Sequence, residues 1–309
     1  MELDGYLITG ATGFLGDALL DASTALGLPI IPLGGISHDK SRQFRGRSIP
    51  SVDLSAPNAV EEWVRTTGAK PRGIIHAAAL SDARRCEENP AAALAMNSDS
   101  VRHLMRVFPN VPFLFVSTDL VFDGHEDAPS GGFSEQAVPK PRSHYANSKR
   151  KGEQFTLANP LGLVVRVSLL YGRKADTWGG FVGWMLKELV LGHDIPLFLD
   201  EYRTPVWTQD VARTLLSLLC SFVGSDFNKL GSHRVLHLAG PESLNRVEFA
   251  ERVLHQLGGN LKQLKPCLRE SISLIPDRPR NVSLSSELAQ TLLGFQPHSV
   301  VAALSNVAR

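Results

Sequence analysis

The chain has little cysteine. Its three, Cys86, Cys220 and Cys267, are scattered over 309 residues with no CxxC and no Cys/His ligand spacing. That excludes a disulfide framework or a cysteine-bound zinc, and it suits a reducing compartment, so the expected location is the cytoplasm. Neither sign of charge is in excess: Lys+Arg 32 against Asp+Glu 31 leaves a formal net charge of +1. Nucleic acid and anionic membrane surfaces are therefore not expected partners. Long apolar runs are missing, none approaching the ~20 residues of a membrane span, and Met1-Glu2-Leu3-Asp4-Gly5 is not a basic segment leading into an apolar one; the reading is a soluble chain without a targeting signal. His76, His103, His193, His233 and His237 show no HExxH-like spacing, so no metal is expected.

What is present is alternation. Short apolar runs alternate with helical patterns through the first half, as in a parallel sheet flanked by helices. Strands are predicted at Tyr6–Thr9, Pro29–Leu33, Ile49–Asp53, Gly73–Ala78, Pro112–Val116 and Leu163–Val167, with helices over Phe14–Leu26, Asn58–Thr67, from Asn89-Pro90 onward, and Tyr145–Ala158. The stretch Gly124–Pro141 is rich in Gly, Pro and Ser and reads as a surface loop. Beyond Tyr171 the pattern is less regular, with helices over Phe181–Leu191, Gln209–Phe222, Arg246–Leu257 and Ser285–Leu293 and a strand at Val235–Ala239. The expected fold class is α/β: a Rossmann-type doubly wound parallel sheet (1–170 plus 203–243) with a smaller mixed α/β substrate lobe (171–202 plus 244–309).

Thr9-Gly10-Ala11-Thr12-Gly13-Phe14-Leu15-Gly16 leaves a strand and opens a helix, the context in which a glycine-rich turn binds a dinucleotide. Gly10 permits the tight turn, Gly13 lets backbone approach the pyrophosphate, and Gly16 lets helix and strand pack closely. The helix N-terminus then presents N–H groups to phosphate. The second strand ends in Gly34-Gly35 instead of an acid; Ser37, His38, Lys40, Arg42, Arg45 and Arg47 follow, and the first acid is Asp39. This basic loop favours NADP(H), with NAD(H) left open. The turn and the loop give Gly10, Thr12, Gly13, Phe14, Leu15, Gly16, Ser37 and Arg42 as cofactor candidates.

Tyr145 and Lys149 stand four residues apart on one face of a predicted helix, and Thr118 ends the fifth strand, where ligands bind in open α/β sheets. A phenol with its usual pKa of about 10 is a poor acid near neutrality, and a neighbouring ammonium makes it a better one. Thr118 is placed to hold a substrate oxygen while Tyr145 moves its proton.

Together with His76-Ala77-Ala78-Ala79, Asn97, Ser117 through Gly124 and Gly152-Glu153, these residues make the chain resemble an extended short-chain dehydrogenase/reductase. Within that superfamily the likeness is to dTDP-4-dehydrorhamnose reductase and to the regulatory β-subunit of methionine adenosyltransferase. It continues through Arg203-Thr204-Pro205, Asp210-Val211-Ala212 and Arg278 to Leu284.

The resemblance implies a catalytic set of Thr118, Tyr145 and Lys149 supported by Asn97, further cofactor contacts from Asp53, Leu54, Ala77, Ala78, Ala79, Tyr145 and Lys149, and a nucleotide-sugar substrate. Arg84, Asp119, Val121, Arg203 and Arg278 are the candidate substrate residues. Guanidinium groups hold diphosphates bidentately, although each of these arginines also reads as a surface or lobe-bridging residue. Asp119 is followed by Leu120, so the Asp-Glu pair of sugar-nucleotide dehydratases is missing. The expected activity is NAD(P)H-dependent reduction of a 4-keto sugar nucleotide; a nucleotide-binding regulatory subunit and a sugar-nucleotide epimerase are the alternatives. The amphipathic helices of the first half leave a homodimer face open.

Overall fold

The computed structural model describes residues 4–36, 43–44, 46–125, 128–224 and 230–305, with the Arg47 side chain outside the description. The chain forms two compact units: residues 1–118, 143–165 and 212–236, and residues 119–142, 166–211 and 237–309.

Six strands make the main sheet: β1 (Asp4–Thr9), β2 (Ile30–Leu33), β3 (Lys70–His76), β4 (Phe113–Thr118), β5 (Gly162–Val167) and β6 (Val235–Leu238). Their spatial order is β6-β5-β4-β3-β1-β2. β1 pairs in parallel with β2 and β3, and β3 with β4, in a register that sets Thr9 beside His76 and His76 beside Phe115. The order reverses next to β1, the doubly wound arrangement expected from the alternating pattern. Every residue of β4, Phe-Leu-Phe-Val-Ser-Thr, is buried, as a central strand covered on both faces requires.

One expected strand is absent. Over Ile49–Asp53 the chain makes only an isolated parallel bridge, Gly34 with Ser51. Gly34 N–H donates to Pro50 O and Val52 N–H to Gly34 O, but Pro50 has no N–H with which to extend the ladder. A short hairpin, Gln43–Phe44 with Arg47–Ser48, precedes it and was not expected.

The helices of the first unit are α1 (Phe14–Ala25), α2 (Ala59–Thr67), α3 (Ala83–Glu88), α4 (Pro90–Leu94), α5 (Ser100–Val107) and α6 (His144–Ala158). The helix expected from Asn89 onward is interrupted: Ala95–Asp99 forms a π-helical turn between α4 and α5. Such turns often mark functional positions, because they re-aim one side chain. Asn89 accepts from Ala92 N–H, with Pro90 in the first turn, and Ser143 Oγ accepts from Ala146 N–H to start α6. Leu7, Leu33, Ile74, Phe113, Phe115 and Val164 centre the core of this unit.

The second unit has its own core, in which Tyr171 packs against Trp207 and Phe249 with ring centroids 5.3 Å away in each case. The helix Arg246–Leu257 opens with a full capping box from Asn245 and Glu248. The unit also holds a buried ion pair: Arg203 Nε donates to Asp119 Oδ2 at 2.5 Å, and its Nη2 donates to Oδ1. Ser168 Oγ donates to the same carboxylate at 2.8 Å. Removing one member of such a pair strands the other in a dry interior. Arg203→Met is therefore expected to lower stability in chemical denaturation by about 3–5 kcal/mol, and the Asp119→Asn/Arg203→Met double variant by less than the sum of its singles.

Candidate active site

The glycine turn is sterically fixed. Gly10 has φ +68°, and a Cβ there would sit 2.7 Å from Ala78 N and 2.8 Å from Ala77 C. A Cβ on Gly16 would lie 2.0 Å from Gly10 O, so α1 reaches the turn only because residue 16 has no side chain. Gly13 N–H donates to Gly10 O at 2.8 Å, and Gly13 caps α1 without a side-chain bond. The first-turn N–H groups, from Phe14 and Leu15 onward, thus have no acceptor within the helix. Beside them Thr12 is buried, and its Oγ1 has no hydrogen-bond partner among the described residues. An orphaned hydroxyl next to a helix N-terminus fits a phosphate, so these residues suit a dinucleotide.

The other cofactor candidates are spread around this turn. Ala77, Ala78 and Ala79 follow β3, and Ala78 N–H donates to Thr9 Oγ1 at 3.3 Å. Asp53 Oδ1 accepts from the N–H and hydroxyl of Ser55, and the buried Leu54 accepts at its carbonyl from His103 Nδ1. Ser37 and Arg42, with His38, Asp39, Lys40 and Arg45, lie outside the described residues.

His76 ends β3 in a closed chain of bonds. Its Nδ1 is 2.7 Å from Thr9 Oγ1 and its Nε2 is 3.0 Å from Ser100 Oγ, which donates to Met96 O. The serine's only proton is used there, so Nε2 carries the hydrogen and Nδ1 accepts from Thr9. Burial, and secondarily the Lys149 charge, push the His76 pKa down to about 3, which holds the ring neutral.

Thr118 is buried at the end of β4, and Tyr145 is half-buried at the start of α6. Lys149, one turn on, is 2% exposed. Its Nζ donates to Val116 O at 2.6 Å and sits 4.0 Å from the centre of the Phe115 ring. Burial lowers its pKa to about 7, with Glu153 pulling the other way. Asn97, on the π turn, holds Leu80 through both its N–H (2.8 Å) and its carbonyl (3.1 Å), and donates to Ser148 Oγ at 2.9 Å. Ser148 Oγ in turn donates to Tyr145 O, which ties the π turn to the first turn of α6. The fit depends on Gly152, whose missing Cβ would meet Asn97 O at 2.5 Å and Phe115 Cζ at 2.7 Å.

The substrate candidates separate. Arg84 is exposed on α3 and pairs with Glu88 at 2.9 Å. Asp119 and Arg203 are bound to each other, and Val121 is buried in the 3₁₀ turn Asp119–Val121. Arg278 lines a cavity of about 520 Å³ in the second unit, with Phe181, Trp184, Glu201 and Arg246. Burial lowers the Arg278 pKa. Glu201 Oε1 accepts from Arg246 Nη2 at 2.6 Å; burial would raise its pKa, but Arg246, Arg278 and Arg203 outweigh it and hold the carboxyl below its usual value.

A family model described as the RmlD substrate binding domain matches residues 5–309. The chain belongs to this family. The resemblance to extended short-chain dehydrogenase/reductases read from the motifs is borne out, and that superfamily is one of NAD(P)-dependent oxidoreductases. The chain is 30% identical over 292 residues to the probable low-salt glycan biosynthesis reductase Agl14 of Haloferax volcanii, covering 93% of this chain and 91% of that protein. It is 28% identical over 291 residues to methionine adenosyltransferase 2 subunit beta of Pongo abelii, covering 93% and 81%. The crystal structure of a dTDP-4-dehydrorhamnose reductase from Clostridium acetobutylicum matches with TM-score 0.79 at 25% identity, over 99% of this chain and 98% of that one.

Sequence reasoning gave no role to Ser148, Ser100 or Glu153. Only Glu153 carried a signal, since it falls four residues after Lys149 on the same helical face.

The depressed Lys149 pKa has a stability consequence of definite sign. Between about pH 7 and the unfolded value near 10.5 the unfolded chain binds a proton that the native lysine does not, so this group makes stability rise with pH across that window. Lys149→Met removes the effect: the difference in unfolding free energy, wild type minus variant, is expected to grow by up to ~1.4 kcal/mol per pH unit between pH 7 and 10. A flat difference in urea titrations would show that Lys149 keeps its ordinary pKa in the native protein.

Proposed function

We propose that this chain is an NAD(P)H-dependent reductase that turns the 4-keto group of a sugar nucleotide into a hydroxyl, with Tyr145 as the proton donor. The observation that carries the reading is that Thr118 ends β4, Tyr145 and Lys149 share one face of α6, and both elements belong to the unit that holds the Gly10–Gly16 turn. The hydride for such a reduction is the chemistry that a bound reduced nicotinamide supplies.

The chain's own residues account for the rest. Gly10, Gly13 and the first turn of α1, with the Thr12 hydroxyl, would hold the pyrophosphate of a bound dinucleotide, and Lys149 would bond its nicotinamide ribose. Thr118 Oγ orients the carbonyl oxygen, and the Tyr145 phenol gives that oxygen its proton as the Lys149 ammonium stabilises the phenolate left behind. Asn97 fixes the start of α6 through Ser148. The basic run with Ser37 and Arg42 supports NADP(H) over NAD(H).

For the substrate's nucleotide, the cavity of the second unit offers the Phe181 and Trp184 rings and the Arg278 guanidinium. All its lining residues except Leu169 fall within 171–202 and 244–309, which supports placing the substrate lobe there. A second reading, a dinucleotide-binding regulatory subunit, is favoured by the similarity to methionine adenosyltransferase 2 subunit beta over 93% of this chain.

Purified protein with NADPH and a panel of 4-keto sugar nucleotides is expected to consume reduced nicotinamide absorbance, and NADH to serve less well. Dinucleotide binding without consumption across the panel favours the regulatory reading. Tyr145→Phe is expected to reduce kcat by ~100-fold or more with dinucleotide Kd nearly unchanged; an unaltered rate removes Tyr145 from the mechanism.

A further inference from the structure

Glu153 is fully buried two turns beyond Tyr145 on the inward face of α6, and the acid–base set above does not use it. Its Oε1 accepts from Ser117 Oγ at 2.7 Å, from the residue just before Thr118, and its Oε2 accepts from Arg150 Nη1 at 2.8 Å. One turn back, the Lys149 ammonium is equally dry, with Val116 O below it and the Phe115 ring beside it. A desolvated carboxylate is strongly unfavourable unless charge and hydrogen bonds compensate it, and the same holds for a desolvated ammonium. Here the two lie on successive turns of one helix face, and each lessens the other's penalty.

We infer that Glu153 is a positioning residue for the reduction: its buried carboxylate keeps the Lys149 ammonium charged and, through Ser117, fixes the end of β4 that carries Thr118 against α6. The inference rests on the reading of Lys149 as the cation that makes Tyr145 a proton donor. Burial alone draws Lys149 toward the neutral amine, and Glu153 is the charge that opposes this.

The other ionisable groups around Lys149 do not take over that role. Tyr145 precedes it on α6 and is the group to be acidified. His76, from β3, is neutral. Arg150 adds positive charge, which works against the ammonium. A purely local part for Glu153, as acceptor for Ser117 and partner of Arg150, would leave the Lys149 proton unaffected.

Lysine-selective ¹⁵N NMR of the dinucleotide-free protein tests this, with the Lys149 signal assigned by its loss in Lys149→Arg. Glu153→Gln keeps an acceptor for Ser117 and removes the charge; it is expected to lower the Lys149 titration midpoint by ~1 unit or more. Arg150→Gln removes a cation and is expected to move the midpoint upward, which carries the test if Glu153→Gln does not fold. Under turnover at pH 8, Glu153→Gln is expected to lose ~10-fold or more in kcat with the KM for the dinucleotide within about threefold, and Glu153→Asp to recover part of the loss. Midpoints that stay together in wild type, Glu153→Gln and Arg150→Gln overturn the inference even if the wild type is an active reductase. A shifted midpoint in a wild-type protein without turnover overturns the reductase reading and leaves the charge coupling standing.

Discussion

One close approach in the first unit sets the terms for the rest. Helix α1 lies so near the turn before it that a single carbon at residue 16 would come within 2.0 Å of the Gly10 carbonyl, and one at residue 10 within 2.8 Å of the chain after β3. A helix held this tightly brings its positive end down onto the carboxyl edge of the sheet, where β1 and β3 finish level and β4 runs on to Thr118. The same rule recurs on the other side of β4: Gly152 allows α6 to settle onto Phe115 and the π turn. Two helices are thus docked by absent side chains, and the groups they carry inherit that precision.

Much of this was legible beforehand because it depends on local pattern. Apolar, β-branched or aromatic runs such as Phe113–Val116 and Leu163–Val165 read as buried strands, and a four-residue spacing puts Tyr145 and Lys149 on one face of a helix. The third strand was misread because Ile49 to Asp53 has strand composition, yet Pro50 cannot donate and the pairing stops at one bridge. The π turn at Ala95–Asp99 has no signature in residue type; it arises where the helix must re-aim Asn97 toward Leu80 and Ser148, 17 and 51 residues away in sequence. The partners of Arg203 were illegible for a similar reason. An arginine near a substrate motif reads as an anion clamp until the fold supplies Asp119, 84 residues earlier.

The second unit shows how charge can be buried by internal matching. Arg203 is satisfied by Asp119, and Arg246 by Glu201. Arg278 differs: it faces the cavity with Glu201 as an electrostatic neighbour already bonded to Arg246. A guanidinium in that setting favours an anionic group, and the rings of Phe181 and Trp184 give the same cavity a flat apolar wall.

His76 gives the fold a preferred side of the pH scale. Locked as a neutral acceptor and donor between Thr9 and Ser100, it refuses a proton until about pH 3, whereas the unfolded chain takes one near pH 6.5. Acidification through that interval therefore feeds the unfolded ensemble, withdrawing up to ~1.4 kcal/mol of native stability with each pH unit. A sheet end closed around an unprotonated imidazole therefore couples the Thr9–His76–Ser100 bonds to the proton activity outside, and loosens as that activity rises.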